Sequence, residues 1–233
     1  MSGNSSRPLR AEIVDYGLGN LFSIRQACAY AGMEGRITSS AAELEAADVV
    51  ILPGVGAFGD AMAQLHRLDL VSPLRALAQA DRPLVGICLG LQLFMSESHE
   101  FGRHEGLGLI PGSVIRFEAP REGDRILKVP QVGWNRIFRP EAAGGAADPW
   151  AGTPLEGQAD GEHMYFVHSF YAVPESPDGV LSRTRYGHIE FCSSVRRGNL
   201  FACQFHPERS GRAGLQVYRR IASAVSGNRQ QGA

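Results

Sequence analysis

The chain has 233 residues, of which 44% are hydrophobic, and its formal net charge is −1 at pH 7. This length and composition predict one globular domain covering residues 1–233, and the balanced charge argues against a nucleic-acid partner. The chain begins without an apolar leader, and no apolar stretch is long enough to cross a bilayer, so we expect a cytoplasmic protein with no membrane partner. The four cysteines lack C-x-x-C spacing, which favours neither a disulfide framework nor a structural zinc site (Cys28, Cys88, Cys192 and Cys203).

Short apolar runs that end in glycine turns dominate the first half of the chain. These runs predict buried strands at residues 11–15, 48–52 and 83–87. A helical pattern follows each turn, which predicts helices over residues 21–31, from the second turn through Leu65, and over 91–98. Strand, turn and helix in alternation are typical of a parallel sheet with crossover helices, and ligands bind beyond the carboxyl ends of such strands.

The second half of the chain has the pattern of short strands joined by turns. Strands are predicted at 113–117, 127–132, 164–172, 179–185, 189–195 and 200–205, with a closing helix over 214–225. We expect residues 1–9 to be disordered and residues 139–162, rich in Ala, Gly, Pro and Asp, to form an exposed loop. The sequence therefore predicts an α/β fold, with a mostly parallel central sheet flanked by helices and an additional antiparallel or mixed strand layer.

The segment from Gly54 to Gly59 has the spacing G-x-G-x-x-G after a strand, which is typical of dinucleotide sites. However, Pro53 precedes it, and no convincing ribose-binding acid closes a later strand about 20 residues on. Tight turns, or backbone N–H groups exposed for an oxyanion, are the better interpretation. His163 and His168 point to opposite faces of a predicted strand, so they do not predict a metal pair. We expect neither a cofactor nor a metal ion.

Cys88 stands between two glycines in Gly86-Ile-Cys-Leu-Gly90, at a predicted strand-to-helix junction. This is the thiol counterpart of the G-x-S-x-G elbow, in which small flanking residues allow a tight turn and the nucleophile projects above the sheet. A helix N-terminus also favours the thiolate form. The pattern predicts Cys88 as a nucleophile and the backbone N–H of Leu89 as an oxyanion donor. For the other three cysteines we favour an inert buried thiol.

A thiolate nucleophile needs a base from elsewhere in the chain. His206 follows the predicted strand 200–205 and precedes Pro207 and Glu208. Residues i and i+2 of a strand point to the same side, so we expect the Glu208 carboxylate to orient the His206 imidazole. His168 also ends an apolar run but has no acid at i+2, which makes it the weaker candidate for the base.

Six motifs in chain order resemble those of the class I (triad) glutamine amidotransferases, which have a flavodoxin-like domain. Within that family they are most similar to the glutaminase subunits of imidazole glycerol phosphate synthases, which act in histidine biosynthesis. The likeness covers nearly the whole chain, and the order of the motifs makes it specific. The motifs are DYGLGN at 15–20, LPGVGAFG at 52–59, GICLGLQLFMSES at 86–98, VGWN at 132–135, YFVHS at 165–169 and QFHPERS at 204–210.

The resemblance implies an enzyme that hydrolyses L-glutamine to glutamate and ammonia through a cysteine thioester. It implies Cys88 as the nucleophile, His206 as base and then acid, and Glu208 as the group that orients His206. It implies an oxyanion hole made by the backbone N–H groups of Val55 and Leu89. The residues that it places around glutamine are Gly56, Gln92, Glu100, Ser169 and Phe170.

The resemblance also implies a partner. This is a cyclase subunit with a (βα)8 barrel, which forms a heterodimer with the glutaminase and uses the ammonia to make imidazole glycerol phosphate and AICAR. It would dock over the edge that carries the glycine turns, and the residues implied at the interface and ammonia gate are Asn20, Trp134 and Arg209. Gln131, Val132 and Arg209 depart from the residues frequent in the family, as does Phe170. These departures bear on docking and gating and leave the triad intact.

Three alternatives stay open at this point. The first is a class I glutaminase that feeds another synthase, such as one that modifies a sugar in surface polysaccharide synthesis. The second is a binding module that has kept the fold without activity, against which the intact triad argues. The third is a cysteine peptidase or another thiol hydrolase, which assays with peptide substrates would distinguish.

Overall fold

The computed structural model describes residues 7–140 and 148–231. Within these ranges the helices are α1 (Leu21–Tyr30), α2 (Ala41–Glu45), α3 (Phe58–Arg67), α4 (Val71–Gln79), α5 (Leu89–Leu93) and α6 (Gly211–Gln231). The strands are β1 (Leu9–Val14), β2 (Met33–Thr38), β3 (Val49–Leu52), β4 (Leu84–Ile87), β5 (Met95–Ser98), β6 (His104–Glu105), β7 (Ile110–Arg116), β8 (Arg121–Glu122), β9 (Arg125–Ile126), β10 (Gln131–Ile137), β11 (Glu162–His168), β12 (Phe170–Pro174), β13 (Val180–Tyr186), β14 (Ile189–Arg197) and β15 (Leu200–Cys203).

Seven of these strands form a central sheet in the order β13-β14-β15-β4-β3-β1-β2. The strands from β15 to β2 are parallel, and β14 and β13 extend the sheet in antiparallel pairs. In the middle of the sheet, Gly86 of β4 lies opposite Leu52 of β3 and Ala202 of β15. The carboxyl ends of β1, β3 and β4 therefore meet at one edge, where a glycine turn follows each strand. The predicted α/β fold with a mostly parallel sheet is confirmed.

Helices cover both faces of the sheet. The residues of α3 at helical spacing are buried against one face, namely Phe58, Ala61, Met62 and Leu65. On the other face, α1 and α6 bury a second set, which includes Ile24, Cys28, Val217 and Ile221. Because apolar burial is the main favourable contribution to folding, these two layers hold the sheet edge in a fixed position relative to the helices.

The prediction of one helix over residues 91–98 is wrong beyond Leu93, where α5 ends and the chain continues into β5. The carbonyl of Phe94 accepts hydrogen bonds from the backbone N–H groups of Leu109 and Ile110. A helix would instead use this carbonyl for the N–H four residues ahead. A segment distant in sequence thus takes the hydrogen bonds that would prolong the helix.

The predicted additional strand layer is present and consists of a four-stranded sheet, β12-β7-β5-β6, and the pairs β10-β11 and β8-β9. The four-stranded sheet is mixed, because β5 and β7 are parallel while its other pairs are antiparallel. Residues 164–172, predicted as one strand, belong to two strands, β11 and β12. β10 pairs with β11 so that Trp134 lies opposite Tyr165.

Residues 139–140 and 148–161 form turns and irregular structure, as the predicted loop requires, but several of their side chains are buried rather than exposed. Trp150 is fully buried, and its indole N–H donates to the carbonyl of Leu181 in β13 at 2.6 Å. The guanidinium of Arg139 lies 4.2 Å from the centre of the Trp150 ring. Leu155 is also fully buried. The segment therefore packs onto the core, and residues 141–147 lie outside the described residues.

The predicted disordered start, residues 1–9, extends too far along the chain. Leu9 is already the first residue of β1, and Arg7 forms an ion pair with Asp48 at 2.7 Å. Residues 1–6 lie outside the described residues.

The sequence patterns did not predict β2, α2 or α4, and β2 lacks an apolar run because it is an edge strand with only its end residues buried. No helix in the described part of the chain is long and apolar enough to cross a membrane.

Candidate active site

Cys88 lies in the turn between β4 and α5 with φ 55° and ψ −106°, a conformation that residues other than glycine rarely adopt. The flanking glycines are required by space. A Cβ atom at Gly90 would clash with the carbonyl oxygen of Leu52, and one at Gly86 would lie 2.9 Å from the backbone of Gly90. This close packing fixes Cys88 at the sheet edge, above the end of β4.

Hydrogen-bonding groups surround the Cys88 side chain, which is 5% exposed. The amide Nε2 of Gln204 donates to the sulfur at 3.6 Å. The sulfur also lies 3.9 Å from the carbonyl oxygen of Val167, to which the thiol form can donate. The backbone N–H of Cys88 donates to the carbonyl of Cys203 at 2.7 Å, so the turn is tied to the end of β15.

His206 and Glu208 lie just beyond β15, the strand next to β4. Nδ1 of His206 is 2.7 Å from Oε1 of Glu208, and both side chains are almost fully buried. The pair forms across a 3₁₀ turn at Pro207–Arg209 rather than by strand alternation, because β15 already ends at Cys203. The carboxylate thus holds Nδ1 and fixes the orientation of the imidazole.

The charge state of His206 follows from its burial and from two neighbours. Burial alone lowers the pKa of His206, but the negative charges of Cys88 and Glu208 outweigh it and raise this pKa to about 10. The raised pKa favours the imidazolium form of His206. Within the described residues the buried Nε2 atom has no hydrogen-bond partner. Its proton is available to a group that binds at the sulfur.

His168, the competing candidate for the base, is held neutral. Its Nδ1 lies 2.8 Å from the carbonyl oxygen of Phe170, which can only accept, so Nδ1 carries the proton. Burial lowers the pKa of His168 to about 4; the Phe170 hydrogen bond opposes this change and the charge of His206 adds to it. No carboxylate pairs with His168, in contrast to His206, among the hydrogen bonds of the described residues.

A cavity of about 250 Å³ opens at Cys88 and brings together residues from five parts of the chain. A space of this size suits one small molecule. Its walls include all the residues predicted for the oxyanion hole and for the substrate, namely Val55, Gly56, Leu89, Gln92, Glu100, Ser169 and Phe170. Pro130, Val167 and His168 complete the lining.

Hydrogen bonds hold two polar side chains in the cavity wall. Oε2 of Glu100 accepts from the backbone N–H of Phe58, at the start of α3, at 2.6 Å. Nε2 of Gln92 donates to the carbonyl of Phe170 at 2.9 Å. Both contacts are buried, so the carboxylate and the amide present fixed polar groups to a ligand.

The loop after β3 is anchored by a hydrogen bond at one end and has a glycine with a positive φ at the other. The hydroxyl of Tyr16 donates to the carbonyl of Pro53 at 2.6 Å, and a Cβ atom at Gly54 would clash with this hydroxyl. Gly56 has φ +107°, a value that L side chains rarely adopt. Val55 stands between the two glycines and is 42% exposed. Its peptide is therefore the part of the loop with room to change orientation.

The three residues expected at a partner interface lie outside the cavity lining. Trp134 is 57% exposed and contacts the ring of Tyr165 edge-on, and the guanidinium of Arg209 lies 4.5 Å from the centre of that same ring. The structure thus brings Trp134 and Arg209 together. Asn20 caps α1, because its side-chain oxygen accepts from the backbone N–H of Ser23 at 3.3 Å.

Two residues near the sulfur were not predicted as site residues. Gln204 reaches Cys88 directly, and Tyr16 anchors the loop that carries Val55. Burial and the charge of Cys88 both raise the pKa of Tyr16, so its hydroxyl remains a donor. Each residue lies inside one of the six motifs, which was the signal that could have found it.

Comparisons with known proteins show which family the chain matches. Residues 12–221 match the family model described as glutamine amidotransferase class-I. The chain is 45% identical to the imidazole glycerol phosphate synthase subunit HisH of Rhodopirellula baltica, over 91% of this chain and 96% of that protein. It is also 45% identical to the protein of the same name from Moorella thermoacetica, over 91% of this chain and 94% of that protein.

Solved structures show the same fold at lower sequence identity. PurLQS from Thermotoga maritima superposes with a TM-score of 0.68 at 20% identity, covering 93% of this chain and 99% of that one. The crystal structure of a glutamine amidotransferase gives a TM-score of 0.66 at 18% identity, with 92% and 98% covered. At such identities the likeness concerns the fold alone.

Proposed function

The chain belongs to the class-I glutamine amidotransferase family, and on that premise we propose that it is the glutaminase subunit of an imidazole glycerol phosphate synthase. The observation that carries the proposal is Cys88 itself, which lines the cavity and whose side chain also interacts with the buried His206 of the His206–Glu208 pair. A glutaminase needs a cysteine nucleophile, a group that accepts and donates its proton, and a pocket for one small substrate, and this site offers all three.

The first half of the reaction uses the thiolate and the imidazolium. The Cys88 sulfur attacks the carbonyl carbon of the glutamine side-chain amide, and the C=O electron pair moves to oxygen. The C–N bond then breaks as His206 gives its Nε2 proton to the leaving nitrogen, which departs as ammonia. The product is a thioester on Cys88. His206 acts first as the base that takes the Cys88 proton and then as the acid that gives it to the leaving nitrogen, and its raised pKa favours holding the proton between these steps.

The second half returns the enzyme to its starting state. A water molecule attacks the thioester carbonyl while His206 takes one of its protons, and the C–S bond breaks to release glutamate and the thiolate. Glu208 stabilises the imidazolium in both halves by accepting from Nδ1. The oxyanion of each tetrahedral intermediate is held by the backbone N–H groups of Val55 and Leu89, which line the same cavity.

The substrate is held by the other cavity residues. The Glu100 carboxylate suits the α-ammonium group of glutamine, and the Gln92 amide adds a second polar group to the same cavity wall. Gly56, Ser169 and Phe170 complete the contacts. This arrangement positions one amino acid with its side-chain amide at the sulfur.

The partner is a cyclase subunit with a (βα)8 barrel, bound in a heterodimer. It covers the edge with the glycine turns, where ammonia leaves the cavity. Exposed apolar side chains support this placement, because Trp134 is 57% and Val132 is 61% exposed on β10. Arg209 adds a positive charge beside them through its contact with Tyr165.

Cys88→Ala tests the proposal. We expect ammonia release from glutamine to fall by about 10⁴-fold or more, as when other covalent nucleophiles are removed. Cys192→Ala is the matched control, since this cysteine is also buried but does not line the cavity, and it should keep normal activity. More than a few per cent of activity in a folded Cys88→Ala protein would exclude Cys88 as the nucleophile.

A further inference from the structure

Gln204 bridges the nucleophile and the cavity wall. Its side chain is fully buried. Its Oε1 accepts from Nε2 of Gln92 at 3.1 Å, and its Nε2 donates to the sulfur of Cys88 at 3.6 Å. Gln92 in turn donates to the carbonyl of Phe170 at 2.9 Å. Two amides thus form one continuous chain of hydrogen bonds from Phe170 to the sulfur.

The direction of this chain is fixed at its far end. A backbone carbonyl can only accept, so the atom of Gln92 that faces Phe170 must be the nitrogen. The second hydrogen of that nitrogen then faces the Gln204 amide, which must present its oxygen there. The remaining group of Gln204, the NH₂, is therefore turned toward the sulfur. Neither amide can be exchanged end for end without placing two donors or two acceptors together.

We propose that Gln204 is a positioning residue that holds the Cys88 sulfur in its thiolate form and links it to the wall of the substrate cavity. An N–H donor stabilises an anionic acceptor more strongly than a neutral one, so the bond favours the thiolate over the thiol. The bond also fixes the sulfur against rotation about the Cys88 side chain. The donor is not free to leave, because Gln92 and Phe170 hold its other end.

This inference rests on the proposed role of Cys88 as the nucleophile, but its test does not require turnover. The readout is the rate at which iodoacetamide alkylates Cys88, followed by peptide mass spectrometry across a pH series. Only the thiolate reacts, so the rate reports the thiolate fraction. Gln204→Met removes both hydrogen bonds and keeps an unbranched side chain of similar volume.

The expected change in alkylation rate depends on pH. At neutral pH the Gln204→Met protein should alkylate about tenfold more slowly, because one charge-assisted hydrogen bond is lost. At high pH, where the thiol is ionised in both proteins, the two rates should converge. A general distortion of the pocket would instead change the rate at every pH. Gln158→Met is the matched control, since Gln158 is also buried and donates to the carbonyl of Ala213 at 2.8 Å, away from the cavity. The Gln158→Met protein should show the same dependence of alkylation rate on pH as the wild type.

A second variant tests the link to the wall and remains informative if Gln204→Met does not fold. Gln92→Met leaves the Gln204 amide in place but removes the donor that orients it, so we expect a smaller slowing at neutral pH. An unchanged curve for both variants, or equal slowing at all pH values, would overturn the inference. If the Cys88→Ala protein keeps its glutaminase activity, the proposed function fails instead.

Discussion

His206 and His168 are close enough for their charges to interact, yet their surroundings favour opposite charge states. His206 has the Glu208 carboxylate on Nδ1 and the Cys88 sulfur nearby, which raise its pKa. Burial lowers the pKa of His168, and the hydrogen bond to the Phe170 carbonyl opposes this only in part. A charged imidazole suits proton transfer to a leaving amine, whereas a neutral one suits a cavity wall.

This difference predicts an order among three variants. His206→Ala should lose the most glutaminase activity, because the proton donor is removed. Glu208→Gln should lose less, since the orienting member of a triad is usually the weaker one. His168→Ala should be mildest. The measurement is kcat for ammonia release from the three proteins side by side, and an inactive His168→Ala beside an active His206→Ala would reverse the assignment.

The depressed pKa of His168 also predicts a pH dependence of stability. The unfolded chain takes up a proton at His168 near pH 6.5, whereas the folded protein does so only near pH 4. Stability is therefore lost as the pH falls from 6.5 toward 4, by at most about 3 kcal/mol for a shift of this size. Urea denaturation of wild type and His168→Leu across this range tests it. The variant should show a smaller loss, and parallel curves would contradict the assignment.

At the scale of elements, α3 ends in a strained conformation that a substitution can relieve. Asp69 follows the helix with φ 55°, and the backbone N–H of Leu70 donates to the carbonyl of Leu65, a bond typical of a helix that ends at glycine. The negative charge of Asp69 also opposes the helix dipole. Asp69→Gly should raise the free energy of unfolding by about 0.5–1 kcal/mol, measured by urea denaturation.

Asp81 provides the matched control for that prediction. It has a similar φ of 50°, but its carboxylate accepts from the backbone N–H of Asn199 at 2.8 Å. Asp81→Gly should therefore destabilise the protein, since the lost hydrogen bonds outweigh the relief of strain. Equal effects of the two substitutions would show that backbone torsion is not the cause.

The elements that the sequence predicted well are those determined by neighbouring residues. The strands that end in glycine turns, β1, β3 and β4, appear close to their predicted positions because the apolar run and the turn are both local. The wrong helix over 91–98 depended on a distant segment, Leu109 and Ile110, which binds the backbone of Phe94. Such a contact leaves no periodic pattern in the sequence.

The candidate site was likewise predictable only where it depends on residues that are neighbours in the sequence. The elbow around Cys88 was predictable, because glycine spacing at a strand end reports a tight turn. That β15 lies next to β4, and so places His206 near the sulfur, depends on sheet order, which only the resemblance implied. The role of Gln204 depends on hydrogen bonds among groups from three segments, one of which contributes a backbone carbonyl, and the residue itself has no distinctive spacing. The extent of the domain, 1–233, stays a prediction.

At the scale of the whole molecule, we predict that the isolated chain hydrolyses glutamine poorly and that the cyclase with its ligand raises the rate. The Val55 peptide lies between an anchored Gly54 and a glycine at φ +107°, and its N–H serves the oxyanion in only one orientation. A missing oxyanion donor costs about 10²–10³ in kcat. A partner that favours the donor orientation can restore this factor.

The measurement is kcat for glutaminase with the chain alone, with the cyclase, and with the cyclase bound to its nucleotide ligand. Cys88→Ala in the same complex is the control for contaminating activity. Equal rates with and without the liganded partner would contradict the idea that the partner sets the orientation of the Val55 peptide. Full activity of the isolated chain would favour a glutaminase of another synthase.

The pairing of β4 with β15 has a consequence for how such proteins diversify. Ile87 lies opposite Cys203 in this pair, so the nucleophile and its histidine follow adjacent strand ends although most of the second half of the chain runs between them. Parts of that excursion border the cavity, namely α5, Glu100, Pro130, β11 and β12, and β13 and β14 extend the sheet beside β15. The rest can be lengthened or resurfaced without moving the sulfur relative to the imidazole. Mutation can therefore change which acceptor enzyme is recognised while the residues that release ammonia keep their geometry.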